Sequence, residues 1–256
     1  MRQNKKAKIM LPVGTIILLL IIWEGFVRIT NTPLYVLPAP SKVVLTLFSE
    51  FPVLLHHSYI TLVETIIGLV IAVALALILA ILMDAFEKFK SAIYPILVVS
   101  QTIPVIVLAP IFIIYLGFGM TPKVLTVVLM CFFPIAVSFA DGMAQLDMNQ
   151  INLVRSFGAS KIQVYGLAKI PSAAPSLFSG LKVAATYSIS GAVVGEWLSA
   201  DSGLGYYMLR VKNGFMLDKV FACVLAIILL SLMMNGFVKL LQYILFPHLR
   251  THEQST

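Results

Sequence analysis

Apolar positions in this chain run in long unbroken blocks, with neither the alternation of a half-buried strand nor the narrow stripe of a soluble helix. A helix needs about 20 mostly apolar residues to cross a bilayer core of about 30 Å. Six blocks reach or approach that length: 9–27, 59–83, 92–116, 124–140, 175–198 and 219–246. The pattern predicts an all-α integral membrane protein, a single transmembrane domain over 1–256 with six transmembrane helices. The connections are mostly short. Residues 29–57 carry Pro33, Pro38, Pro40 and Pro52 and so begin extended, after which Ser41 is expected to cap a short helix over 42–50. Residues 84–90 are charged, 117–123 read as a tight turn, and 141–171 and 199–218 are the longer polar connections. The third block is interrupted by Gln101, Thr102 and Pro104, with Pro95 and Pro110 to either side. Broken backbone at membrane depth is tolerated where it lines a cavity or is buried in protein. These three residues are therefore candidates for lining a solute pathway.

Composition agrees. The 256 residues are 60% hydrophobic and 11% charged, with a mean hydropathy of +0.99, whereas soluble domains carry roughly 25% charged residues. The net charge of +7 does not point to nucleic acid, because the basic residues adjoin apolar blocks and no basic helix is interleaved with aromatics. Their distribution sets orientation. With the N-terminus inside, Arg2, Lys5, Lys6, Lys8, Lys88, Lys90, Arg155, Lys161, Lys169 and Arg250 are cytoplasmic, against Arg28, Lys42, Lys123, Arg210, Lys212 and Lys219 outside. Both termini are then expected to be cytoplasmic. The first block follows a basic start without a small-residue cleavage site and reads as an uncleaved span. Cys131 and Cys223 lie in apolar runs and read as small buried hydrophobes.

Catalytic chemistry finds no support in the sequence. There is no HExxH, GxSxG or metal-spaced His/Cys cluster. Adjacent His56 and His57 would point about 100° apart on a helix and chelate poorly. There is no GxxxxGK[ST] phosphate cradle either, so no cofactor is expected on this chain. Ionisable residues inside spans are costly and mark function. Glu64, three residues past Thr61, is expected to face the pathway, to pair with His56 or His57, or to snorkel. Glu196, after Gly195, is a candidate for gating, structural hydrogen bonding or substrate contact. Tyr187 and Ser190, with Thr186 and Ser188, make the fifth block small and polar, suited to close packing or to lining the pathway. Glu24 reads as interfacial, Lys182 and Lys239 as snorkelling, and Gly68, Gly180 and Gly191 as packing glycines.

The connection 141–171 is the most informative stretch. Asp147 followed by Gln150 predicts a helix start of capping-box type. Ile151, Leu153, Val154 and Phe157 give that helix an apolar side, and Gly158 can end it in a left-handed conformation. Ser160 with Gln163 makes a second capping box, opening a short helix from Lys161 that Pro171 is expected to break. The result is a compact knob, Ser156-Phe157-Gly158-Ala159-Ser160, flanked by Arg155 and Lys161. Such a knob suits docking into a partner's groove; the same helix pair could also lie flat at the membrane interface.

The segment RSFGASKIQVYGLAKIPSAAPSLFSGLKVA resembles the EAA loop of bacterial ABC-transporter permeases, in which a Gly is followed thirteen residues later by a Pro, as Gly158 and Pro171 are here. It departs at the name-giving triplet, where Asn152, Leu153 and Val154 stand and the acidic residue is missing. VLPAPSKV, QTIPVIVLAPIFIIYLGFG and GEWLSADSGLGYYM occur in the order and spacing of the nitrate/sulfonate/taurine-type permeases, and within them resemble the thiamine-pyrimidine-precursor branch. The resemblance implies a type I importer permease of the bacterial plasma (inner) membrane, a MetI-like bundle with a cytoplasmic coupling helix. Two ATP-binding-cassette ATPase subunits would receive the Gly158 turn. An extracytoplasmic binding protein would deliver the solute, and a second copy of the chain would complete the pathway. The order of substrates it implies is an aminopyrimidine thiamine precursor, then a sulfonate or taurine, then nitrate or bicarbonate. A secondary transporter or channel working without an ATPase is the alternative.

Overall fold

The structure, a computed structural model, describes residues 5–199 and 201–246. The basic side chains at 2–8 and Arg250, which entered the orientation reading, lie outside this description. The described chain is helical: α1 Lys5–Ile29, α2 Pro40–Ser49, α3 Phe51–Ala85, α4 Glu87–Ser100, α5 Val105–Leu116, α6 Met120–Ala144, α7 Met148–Ser156, α8 Lys161–Val164, a π-helical turn Tyr165–Lys169, α9 Ile170–Ser199, α10 Leu204–Asn213 and α11 Leu217–Leu245. Five helical stretches among the described residues are long and apolar enough to cross a membrane, six if α4 and α5 count as one broken span.

Four local expectations are corrected. The third block is no kinked rod: α4 and α5 meet at 101°. Pro104 stands just ahead of α5 with extended backbone (φ −63°, ψ 117°); it lacks an N–H to continue α4 and disfavours helix at Ile103 before it. The short external helix begins at Pro40, with Ala39 and not Ser41 at its N-cap, because proline is preorganised for the first helical position. Lys123 belongs to α6 and is buried; the turn before it is made by Gly117 and Gly119, both at positive φ. Pro171 does not stop its helix. The wider turn at Tyr165–Lys169 lies directly ahead of it and leads into α9, which accommodates the missing N–H.

α6 packs most extensively on α9, with α3 against α6 as the next layer. Small residues permit the approach. A Cβ on Gly68 would collide with Val127, one on Gly142 with Ser176, and one on Gly180 would lie 2.7 Å from the Pro134 carbonyl oxygen and 2.8 Å from Ser138 Cβ. Gly180→Val is expected to lower thermal stability in detergent by about 1–3 kcal/mol through overpacking. Gly25→Ala, where a Cβ would meet nothing within 4 Å, is expected to leave it unchanged or slightly raised. The outer faces are a belt of exposed apolar side chains, among them Leu19, Ile21, Val70, Ile78, Leu232 and Leu240, as a lipid-facing surface requires. α1 stands apart from the core, touching α2 and, through Trp23 on Phe221 (ring centroids 5.5 Å), α11.

The bundle has two polar ends. One holds the C-termini of α3 and α6 with the connection 145–169 and is here called the Gly158 end. The other holds α2, α10, the C-terminus of α9 and the N-terminus of α11, and is called the Glu196 end.

Candidate functional site

At the Gly158 end two short helices meet at a turn. Asp147 caps α7 by accepting from the backbone N–H of Asn149 (2.9 Å) and from its side-chain amide. The capping box expected from Gln150 does not form, because the carboxylate is taken up by Asn149 one residue earlier. Ser160 and Gln163 do form theirs: Gln163 Oε1 accepts from Ser160 N (2.8 Å), and Ser160 Oγ accepts from Gln163 N (3.4 Å). Between them Gly158 adopts φ +84°, open to solvent on all sides, a conformation that costs an L-residue about 1–2 kcal/mol. The apolar side predicted for α7 is divided. Ile151 is buried and Val154 half-buried, while Leu153 and Phe157 point outward. Phe157 is 83% exposed and Ile162 84%. Phe157 lines, with Val154, Gln163 and Leu167, a groove of about 330 Å³ beside Gly158 and Ala159. Arg155, Ser156, Ser160, Lys161 and Gln163 are exposed around it, whereas Pro171 is half-buried at the start of α9. The turn is strapped to the bundle. Asp84, at the end of α3, accepts from Tyr165 Oη (2.6 Å) and Lys169 Nζ (2.5 Å), and Tyr94 Oη donates to Asp141 (3.2 Å). The first pair of bonds joins the π-helical turn to α3, and the last joins α4 to α6.

The Glu196 end is closed by a buried polar cluster. Glu64 pairs with Lys123, not with His56 or His57, and both are nearly inaccessible. Glu196 accepts from Thr61 Oγ1 (2.6 Å) and from the Gly205 N–H (2.5 Å), and its carboxyl group adjoins that of Glu64. Thr61 Oγ1 also accepts from Leu204 N (2.9 Å), and His57 Nδ1 from Gly203 N (3.1 Å). So α3 and α9 jointly hold the backbone at 203–205. Gly203 (φ +107°) and Gly205 sit directly on the Glu196 side chain, leaving no room for a Cβ. The sequence reading missed Lys123 by placing it in a turn. A lone lysine at the start of an apolar block and a lone glutamate within another were the signal for the pair.

A second joint surrounds Glu50. It accepts from Lys219 Nζ (2.7 Å) and Tyr207 Oη (3.0 Å), and nearby Thr46 Oγ1 donates to Asp218 (2.9 Å). Glu24 accepts from Arg28 Nε (2.6 Å) and from Ser41 N and Oγ, tying α1 to α2. The Lys219 hydrogen bond, outweighing burial and reinforced by Tyr207, holds the Glu50 carboxyl below the usual carboxylate range. A depressed carboxylate stabilises the fold above its unfolded-state pKa, and that contribution is lost as pH falls through its folded-state value. Glu50→Gln is therefore expected to cost about 1 kcal/mol or less at pH 7, the pair being partly exposed, and to flatten the acid limb of a pH–stability curve.

The remaining pathway candidates fall at the α4–α5 break. Gln101 and Tyr187, from different helices, line one cavity of about 240 Å³ with Ser100, Met130 and Phe133. Thr102 is occupied locally, donating to the Val99 carbonyl (2.7 Å). Pro104 opens α5, and Ser190 is exposed one turn further along α9. The structure thus sorts the sequence candidates into two places. Glu64 and Glu196 are together in the buried cluster, and Gln101 and Tyr187 are together at the break. Thr186 accepts from Asn235 Nδ2 (3.0 Å) and serves packing between α9 and α11. Among the described residues, no group of three His, Cys, Asp or Glu is arranged to hold a metal ion.

Comparison with known proteins adds the following. The family described as "Binding-protein-dependent transport system inner membrane component" matches residues 68–251. The chain is 38% identical over 237 residues to the formylaminopyrimidine transport permease protein ThiX of Halalkalibacterium halodurans, covering 92% of this chain and 94% of that one. It is 30% identical to the riboflavin transport system permease protein RibX of Chloroflexus aurantiacus (92% and 88% covered). It is 26% identical to the putative aliphatic sulfonates transport permease protein SsuC of Bacillus subtilis (86% and 81%). In fold it is similar to a chain of the MetNI methionine ABC transporter in an inward-facing conformation, with a TM-score of 0.55 at 17% identity, over 73% of this chain and 93% of that one.

Proposed function

The chain belongs to the family of binding-protein-dependent transport system inner membrane components, a permease component of an ABC importer, and from that premise we propose that it conducts a small neutral heteroaromatic solute inward, driven through the Gly158 turn. It is a multi-pass membrane protein and not an enzyme; ATP hydrolysis belongs to separate ATPase subunits of such importers. In the proposed assembly two copies of this chain sit side by side in the bacterial plasma membrane with both termini cytoplasmic. Each presents its Gly158 turn to one ATPase, which uses ATP and Mg, and a binding protein delivers solute at the Glu196 end.

The observation that carries the coupling role is the turn at Gly158, with Phe157, Ile162 and Leu167 exposed in the adjoining segments and Tyr165 and Lys169 bonded to Asp84 of α3. Exposed aromatic and aliphatic side chains outside a lipid-facing belt call for a protein partner. Arg155 and Lys161 beside the turn add charge complementarity to an acidic rim. The missing acid at Asn152 means that any salt bridge to the ATPase comes from these basic side chains and not from the name-giving triplet. Drawing two such turns together on ATP binding would splay α3, α6 and α9 at the far end, where Glu64–Lys123 and Glu196–Gly205 seal the entrance, and resetting them after hydrolysis would close it. The preference for an aminopyrimidine over a sulfonate, taurine, nitrate or bicarbonate is supported by the higher identity to the formylaminopyrimidine permease than to the sulfonate one.

Purification in mild detergent from native cells, followed by mass spectrometry, tests this reading. A P-loop ATPase recovered in about equal amount supports it. A chain that purifies alone and moves solute without ATP would replace it by the secondary-transporter alternative.

A further inference from the structure

The cavity lies at the α4–α5 break, where the chain turns by 101° between two helices that together are long and apolar enough for one broken span. Chain that leaves helical geometry within such a span needs a polar cavity or protein around it. Here the break faces α6 and α9 across about 240 Å³ of space.

Its walls have a particular chemistry. Phe133 and Tyr187 offer aromatic faces and Met130 a polarizable thioether. Gln101 brings an amide with two donors and an acceptor, and Tyr187 a hydroxyl. Both residues are exposed and line the cavity. No lysine, arginine, histidine, aspartate or glutamate lines the space. An anion entering it would meet no cation to offset the water it gives up, a cost that rises the more deeply it is held. A flat uncharged ring would find two aromatic side chains and a thioether to pack on, and an amide and a hydroxyl to hydrogen-bond.

We propose that this cavity is a binding station within the permease for a neutral nitrogen heteroaromatic ring bearing amino or carbonyl substituents, with Gln101 and Tyr187 reading the ring edge and Phe133 its face. The station makes the membrane subunit itself selective against anions, in addition to whatever selection a delivery protein makes. It rests on the importer reading for its role in transport, but not for its ability to bind.

Two measurements separate the station from that reading. In the first, the permease–ATPase complex carrying Ser100→Cys, at a lining position not assigned to ring recognition, is labelled with a membrane-permeant maleimide; the native Cys131 and Cys223 are buried. Formylaminopyrimidine is expected to slow labelling of Ser100→Cys at least threefold, and an aliphatic sulfonate to leave it unchanged. Equal protection by both, or by neither, overturns the station. In the second, proteoliposomes with the binding protein are assayed for formylaminopyrimidine moved per ATP hydrolysed. Gln101→Leu and Tyr187→Phe are each expected to lower that ratio about three- to tenfold, the loss of one or two hydrogen bonds to the ring. Unchanged ratios in both variants overturn the station while leaving the importer standing. Selective protection without any ATP-dependent uptake supports the station and removes the importer reading instead.

Discussion

Gly158→Arg inserts and folds normally but loses its ATPase. At φ +84° any side chain costs about 1–2 kcal/mol, yet a Cβ there meets nothing within 4 Å, so strain stays in an exposed turn. The bundle is held by α6 on α9 and by the Asp84–Tyr165–Lys169 strap, neither of which the turn supports. What changes is the proposed docking surface. A long cationic side chain beside the exposed Phe157 is expected to block close approach by the partner. Truncating or obstructing a central anchor of this kind typically costs 2 kcal/mol or more, about a 30-fold loss of association. Thermal unfolding in detergent is expected to shift by only a few degrees, while co-purified ATPase and ATP-driven uptake fall to background. Gly158→Ala carries the same backbone strain without the bulk and is expected to keep a substantial part of both. If Gly158→Arg transports at the rate of the unmodified protein, the turn is not where force enters.

Lys123→Met is the most destabilising single change expected in the molecule. Lys123 pairs with Glu64 at a site nearly closed to solvent, and Glu196 lies alongside the same carboxylate. Removing the ammonium leaves two adjoining buried acids with no cation between them. Breaking a buried pair by deleting one partner costs about 3–5 kcal/mol, most of it the stranded charge. The damage is expected to spread to the backbone at 203–205, which Glu196 holds through the Gly205 N–H. Lys123→Met combined with Glu64→Leu removes the stranded charge and is expected to recover most of the loss, because apolar replacement of a buried pair is often neutral. Melting temperatures of the two single variants and the double variant give the coupling energy directly. Additive losses would mean that Glu64 and Lys123 do not depend on one another.

Much of this protein was legible along the chain because membrane insertion reads local sequence. A block of about 20 apolar residues crosses a bilayer whatever it later touches, so the multi-pass helical character of the chain needed no partner residues, while whether the third block is one span depends on the bend between α4 and α5. The Ser160–Gln163 cap and the left-handed Gly158 were likewise visible, since each depends on neighbours three residues away or on none. Local rules failed where two of them competed. Pro171, read as a stop, is absorbed by a π-helical turn, and Pro104, part of an expected kink, turns the chain by 101°.

Only the tertiary structure decided which polar residues meet. Glu64 finds Lys123 across 59 positions, and Glu196 finds Thr61 across 135. No periodicity encodes such pairings, because they follow from which helix faces are brought together by glycines such as Gly68 and Gly180 and by the sharp turn of α4 into α5. The same packing separated the two acids from Gln101 and Tyr187, making one end a seal and the break a cavity. Sequence by itself determined that this chain spans a membrane and presents a knob at one side. The seal and the cavity came from helix packing in a medium where an unpaired charge has no water to turn to.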